Sequence, residues 1–239
     1  MSAIPQGKRG YPCATQEGVM LTFGYPPEAP SSGGRNRPKI KIGTQALIPR
    51  WVPSTKLLYF VVKDGFTDDD FKHAKSSFKE AADDWNALSF GVTISPTSNK
   101  AEANFLVRYY EEKDNDRTLA RAFFPNEVKD VLIFNNSLTD PYWRKLLKNT
   151  ILHELGHVIG LRHEFANDQK AGAPAGQKRE QFAHQIGGDN RHSVMSYDDD
   201  VVINELDKKD VLEFYKMENG HLINKVPITD YVAKPLQQN

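Results

Sequence analysis

His153-Glu154-Leu155-Gly156-His157-Val158-Ile159-Gly160-Leu161-Arg162-His163 is the stretch from which the rest of the chain is read. Two histidines four apart on a helix project from one face, with β-carbons about 5–6 Å apart. That separation lets two imidazoles meet on one tetrahedral Zn2+. Gly160 can take the left-handed conformation that ends a helix, so the chain turns and His163 can return as a third ligand. Three protein ligands leave one coordination position open for water, which distinguishes a catalytic zinc site from a structural one. Glu154 lies next to the first ligand, placed to take a proton from that water. A bare H-E-x-x-H occurs by chance in unrelated helices; the added glycine and third histidine make the full pattern far more specific.

Outward from this stretch, Asp140-Pro141 supplies an N-cap with proline at the first helical position, so the helix carrying the histidines is expected to open there. Leu147, Ile151, Leu155 and Val158 fall on its side away from the histidines. Upstream, Leu57-Leu58-Tyr59-Phe60-Val61-Val62 reads as a buried strand. Thr67 before three aspartates reads as the capped start of a helix to about Leu88, with Phe71, Ala74, Phe78, Ala81, Ala82 and Trp85 as its core stripe. Val92-Thr93-Ile94, residues 104–109, residues 119–124 and Val131-Leu132-Ile133-Phe134 are further strands. The chain is polar and poor in helix or strand pattern from His163 to about Asn190. Asp207 then caps a last helix to about Met217, and the tail after Gly220 is poorly patterned. The fold class expected is α+β.

Residues 1 to about 44 are rich in Gly, Pro and Ser, as in Tyr25-Pro26-Pro27-Glu28-Ala29-Pro30-Ser31-Ser32-Gly33-Gly34, and read as an irregular segment. The organisation expected is an N-terminal extension, 1–45, followed by one unit over 46–239. The 239 residues carry 31 Lys+Arg and 31 Asp+Glu, and this balance argues against nucleic acid or an anionic membrane as partner. No apolar run reaches the roughly 20 residues that span a bilayer. The first residues, Met1-Ser2-Ala3-Ile4-Pro5, lack the apolar core of a secretory signal. The single cysteine, Cys13, excludes an intrachain disulfide framework.

With its third histidine, and with Ser193-Val194-Met195-Ser196-Tyr197 downstream as a methionine turn, the chain resembles the metzincin zinc metallopeptidases from about Arg50 to Met217. Glu164 directly after His163, Tyr197 two residues after Met195, and Arg50-Trp51-Val52-Pro53 are similar to astacins. Leu119-Ala120-Arg121-Ala122-Phe123-Phe124-Pro125 and Leu161 are closer to matrixins, and the disulfides of typical astacins cannot form. The resemblance is therefore to an astacin-like metzincin with some matrixin-like features.

That resemblance implies a mixed twisted sheet with two long helices in an N-terminal lobe (46–163) and a smaller C-terminal lobe (164–239), with one catalytic zinc in the cleft between. It implies that Met195 lies beneath the histidines as an apolar base. Tyr197 would reach the zinc at rest and then swing to hydrogen-bond the tetrahedral intermediate. The strand around Leu119–Phe123 would pair with an extended protein or peptide substrate. The expected activity is zinc endopeptidase, in a monomer that is secreted or extracellular. A catalytically silent zinc module that captures peptides is the alternative; intact Glu154 argues against it. A zinc hydrolase of non-peptide amides fits the sheet edge less well.

Each assignment has a plainer counterpart. Tyr197 could be a buried tyrosine with a satisfied hydroxyl, and Glu164 a surface carboxylate or an anchor for a trimmed N-terminus. His73, His184, His192 and His221 lack ligand spacing and read as surface residues, with His192 the nearest to the turn. Asp198-Asp199-Asp200 reads as a solvated acidic turn or a hard-cation site. Cys13 is either a thiol without a role or a ligand that fills the open zinc position and keeps the enzyme latent. In the second case, removal of residues up to about 44–46 would yield the mature form.

Overall fold

The computed structural model describes Cys13, Thr15 and residues 40–43, 47–112, 117–164, 183–186 and 190–236. The rest of the N-terminal stretch 1–39, the expected trimming point at residues 44–46 and most of the stretch after Glu164 lie outside the described residues. In chain order the elements are β1 (Ile40–Ile42), β2 (Ile48–Trp51), β3 (Lys56–Val61), α1 (Asp68–Asn86), β4 (Thr93–Pro96), a 3-10 turn (Lys100–Glu102), β5 (Phe105–Tyr110), β6 (Ala120–Arg121) and β7 (Val131–Phe134). There follow α2 (Asn136–Thr139), α3 (Pro141–Lys145), α4 (Leu147–Val158), β8 (Leu161–Arg162), β9 (His184–Ile186), α5 (Glu205–Lys216), β10 (Leu222–Ile223) and β11 (Val226–Tyr231). The fold is mixed α+β.

The largest sheet has strand order β4-β3-β5-β7-β6. Its first four strands run parallel and β6 is antiparallel to β7, at the edge. All four residues of β7 are buried, as a strand covered on both faces requires. Thr67 caps α1 as its sequence demands, its hydroxyl accepting from Asp70 N at 3.2 Å, and three aspartates follow at the positive end of the helix dipole. Ala74, Ser77, Phe78, Ala81, Ala82 and Trp85 form its buried face, while Phe71 is half-buried. Phe78 packs on Tyr59 of β3 with ring centroids 4.4 Å apart, and Phe105 meets Phe123 at 5.3 Å. Further along the same face Trp85 Nε1 donates to Leu152 O at 2.9 Å, which fixes α4 against α1.

Four expectations need correction. Asp140 caps α3 alone, through Tyr142 N at 2.8 Å, and the helix breaks at Leu146 before α4 starts. The break lets Trp143 and Leu146 pack on Leu119 while Leu147 enters the main core, two directions one straight helix would not serve. Asn204, not Asp207, caps α5: its side chain accepts from Leu206 N and Asp207 N, and the Asp207 carboxylate accepts from Asn204 N in return. The stretch before Asn190 holds a strand, β9. The tail is also structured, since β11 pairs antiparallel with β10 and parallel with β2.

Two smaller sheets hold the ends of α4 and α5. In one, β1 is the middle strand between β8 and β9, with Ile42 fully buried. Arg162 of β8 also donates to Gly43 O at 2.6 Å. In the other, β2 carries Arg50 and Trp51, both buried inside the fold. Trp51 Nε1 donates to Val158 O at 2.7 Å, capping the last turn of α4. Arg50 donates to Phe214 O (2.7 Å), Met217 O (2.9 Å) and Asp230 Oδ1 (2.8 Å), joining the end of α5 to β11. Among the described residues no helix is long and apolar enough to cross a membrane.

Candidate metal centre

α4 is buried along its last two turns, so His153, Glu154 and His157 stand in the interior. Gly160 follows at φ +96°, and a β-carbon there would lie 2.5 Å from Pro49 O. Only glycine fits that turn. It feeds β8, and β8 delivers His163 back to the two helix histidines.

The three imidazoles converge with ring centroids 4.8–5.1 Å apart. His153 Nδ1 lies 2.9 Å from Val194 O and His157 Nδ1 lies 2.8 Å from Leu161 O. A ring nitrogen facing a carbonyl is the N–H, so in both residues the Nε2 lone pair is left for the centre. Burial first, and then the charge of His163, push both imidazoles well below their usual range and keep them neutral. Neutral imidazole is the form that ligates metal.

Cys13 completes the group. Its Sγ and one ring nitrogen from each histidine all lie within 4.8 Å of one another, the only such group of three or more His, Cys, Asp or Glu ligands among the described residues. The distances suit zinc. Two nitrogens at 2.0–2.1 Å from a tetrahedral ion stand about 3.3 Å apart, and a sulfur at 2.3 Å stands about 3.6 Å from such a nitrogen. The structure has His163 Nε2 3.1 Å from His153 Nε2, and Cys13 Sγ 3.5 Å from His157 Nε2. Burial, and after it the charge of Glu154, push the Cys13 thiol up, against the hydrogen bonds it receives from Thr15.

Cys13 comes to the site by pairing, forming an isolated parallel bridge with Ala120 of β6. Two residues on, Thr15 Oγ1 donates to Glu154 Oε2 at 2.5 Å and accepts from Ala122 N at 2.9 Å. Cys13 thus lies at the sheet edge and Thr15 against the carboxylate.

Of the other predicted residues, Tyr197 lies against the centre. Tyr197 is nearly buried, its ring 4.7 Å from that of His163. Met195 is fully buried against α4, where a β-carbon on Gly156 would sit 2.2 Å from its Sδ. Gly156→Ala should therefore destabilise the protein by about 1–3 kcal/mol through overpacking, read by urea denaturation, with no loss if Met195 can move aside. Glu164 is buried; its Oε1 accepts from Asn190 N at 2.8 Å and its own N–H donates to Met195 O at 2.9 Å. The Asp198–Asp200 run splits: Asp199 is buried and accepts from Tyr142 OH, while Asp200 is exposed. His192 and His221 are exposed, whereas His73 and His184 are half-buried.

Sequence reasoning missed three contributors: Thr15, Gly156 and Asp207. The Asp207 carboxylate accepts from Ser193 Oγ (2.7 Å), Asn190 Nδ2 (3.0 Å) and Val194 N (3.1 Å). Through the Val194 peptide it steadies the carbonyl that orients His153. A capping signal in the sequence had concealed that second task.

A buried centre of three histidines and one thiol is a zinc-type donor set with a carboxylate at its side. No protein-family model matches the chain, and no curated protein matches its sequence. In structure it is similar to high choriolytic enzyme 1 (HCE-1), a hatching enzyme zinc-protease from Oryzias latipes (medaka fish), at 11% identity and a TM-score of 0.39, over 68% of this chain and 90% of that one.

Proposed function

We propose that the chain is a zinc-dependent endopeptidase of the metzincin type, astacin-like, kept latent by its own N-terminal segment. The observation that carries this reading is the joint placement of Glu154 beside three metal-spaced histidines and of Cys13 at the fourth ligand distance. The histidine cluster is proposed to lie on the floor of a cleft between an N-terminal lobe, 46–163, and a smaller C-terminal lobe, 164–239.

His153, His157 and His163 would hold the ion, with Cys13 as the latency ligand. Zinc, when bound, polarises the scissile carbonyl as a Lewis acid and makes water nucleophilic near neutral pH. Glu154 accepts the proton of that water on its carboxylate and returns it to the leaving amine. The Tyr197 hydroxyl donates to the developing oxyanion, and Met195 supports the cluster from α4. The β6 edge receives a protein or peptide in extended form, because main-chain bonds there fix the scissile carbonyl independently of side chains. An extracellular setting follows from the metzincin resemblance.

The removable part ends ahead of Ile40 in this reading. Ile42 is fully buried in the middle strand of its sheet, and Gly43 O is the acceptor of Arg162. Trimming to residue 45 would leave β8 without its partner and release the turn that presents His163.

The test is casein cleavage by the full chain and by a Cys13→Ala/Thr15→Val double variant, which deletes the Cys13 and Thr15 side-chain contacts with the site, with bound zinc measured in each. The expected result is one zinc per chain in both, cleavage by the double variant, and its loss on chelation. A zinc-loaded double variant that leaves casein intact would favour a peptide-capturing module instead.

A further inference from the structure

A threonine hydroxyl has one proton to give and lone pairs to receive with. Thr15 uses both at the centre. The Ala122 N–H can only donate, so the 2.9 Å contact occupies the lone pair, and the proton points to Glu154 Oε2 at 2.5 Å. Thr15 is almost wholly buried, and its N–H also approaches Cys13 Sγ at 3.5 Å. One short stretch on the β6 edge therefore sends a thiol to the histidines and a hydroxyl to the carboxylate.

We propose that Thr15 is a second lock on the site, chemically distinct from Cys13: its hydroxyl occupies the general base and ties it to the edge strand through Ala122 N–H. The regulatory consequence rests on the peptidase reading, but the lock itself does not. A charge-assisted hydrogen bond to a buried carboxylate is among the stronger single contacts a hydroxyl makes. Two contacts on one short segment also reinforce each other, since each holds the other's partner at high effective concentration. Losing the Cys13 contact leaves Glu154 still covered, and losing the Thr15 contact loosens Cys13. A reagent that attacks only the thiol would leave the base occupied.

Because Cys13 is the only cysteine, its alkylation by iodoacetamide reports the state of the segment without ambiguity. The zinc-loaded full chain is compared with Thr15→Val, which keeps the shape and removes the hydroxyl, and with Thr15→Ser, which restores it. Thr15→Val is expected to be alkylated about tenfold faster, and Thr15→Ser at close to the parent rate. In a Glu154→Gln background, where a neutral acceptor replaces the charged one, the Thr15→Val effect should shrink. A merely structural threonine would give the same increment in both backgrounds. Equal alkylation of Thr15→Val and parent, or equal increments in the two backgrounds, would overturn the lock. Faster alkylation together with an inactive, zinc-loaded Cys13→Ala/Thr15→Val chain keeps the lock and removes the peptidase. Unchanged alkylation with active cleavage does the reverse.

Discussion

In the Cys13→Ala/Thr15→Val chain, a further Glu154→Gln substitution is expected to reduce casein cleavage by about 10²–10⁴-fold, the usual contribution of a positioned acid–base group. Bound zinc should be unchanged. Glu154 is fully buried, and glutamine matches it in shape, so the substitution removes the ability to carry a proton and little else. The ligands are untouched: His153 and His157 remain oriented by Val194 O and Leu161 O. His157→Ala is the contrasting control, because it removes a ligand and should release the metal as well as the activity. Turnover on casein and metal analysis of the same samples separate the two effects. Cleavage at the parent rate in Glu154→Gln would take the proton-transfer role away from this residue.

Arg50→Ala is expected to cost about 3–5 kcal/mol of folding stability, the range for breaking a buried ion pair from one side. The guanidinium is 1% exposed and meets three acceptors, at Phe214 O, Met217 O and the Asp230 carboxylate. Removing it strands all three where water cannot easily replace the lost bonds. It also removes the cation from beside the rings of Phe214 and Tyr215, 5.7 and 5.5 Å away. Arg50→Lys should recover only part of the loss, since a single ammonium cannot reach all three acceptors in the guanidinium's planar arrangement. Urea denaturation gives the comparison directly. A loss below about 1 kcal/mol, the range of an exposed pair, would mean that the end of α5 does not depend on this clamp.

The parts of the fold that the sequence made legible are those whose signals are local. Thr67 with its aspartates, the apolar face of α1 and the Val131–Phe134 run each read correctly because cap, period and burial lie within a few residues of one another. The clustering of the histidines was legible for a related reason, since the spacing of His153 and His157 is itself the helix geometry. Most of the misreadings are long-range. β11 is held by β2, nearly 180 residues earlier, and neither strand has a pattern that names the other. β9 has only three residues and depends on β1 for pairing. Asn204 and Asp207 were exchanged as caps because both are acceptors at plausible spacing, and only the reciprocal bonds decide between them. Thr15 left no trace in the pattern: a hydroxyl gains its meaning there from a carboxylate 139 residues away.

β6 lies at the edge of the five-stranded sheet and is covered by the chain's own Cys13 stretch. A covered strand edge is closed to neighbouring molecules as well as to substrate, and uncovered edges are where proteins pair with copies of themselves. In the proposed latent form, the same stretch would also act as a solubility device. On that proposal, activation would end both protections in one event, opening the same edge to cleavage targets and to self-association.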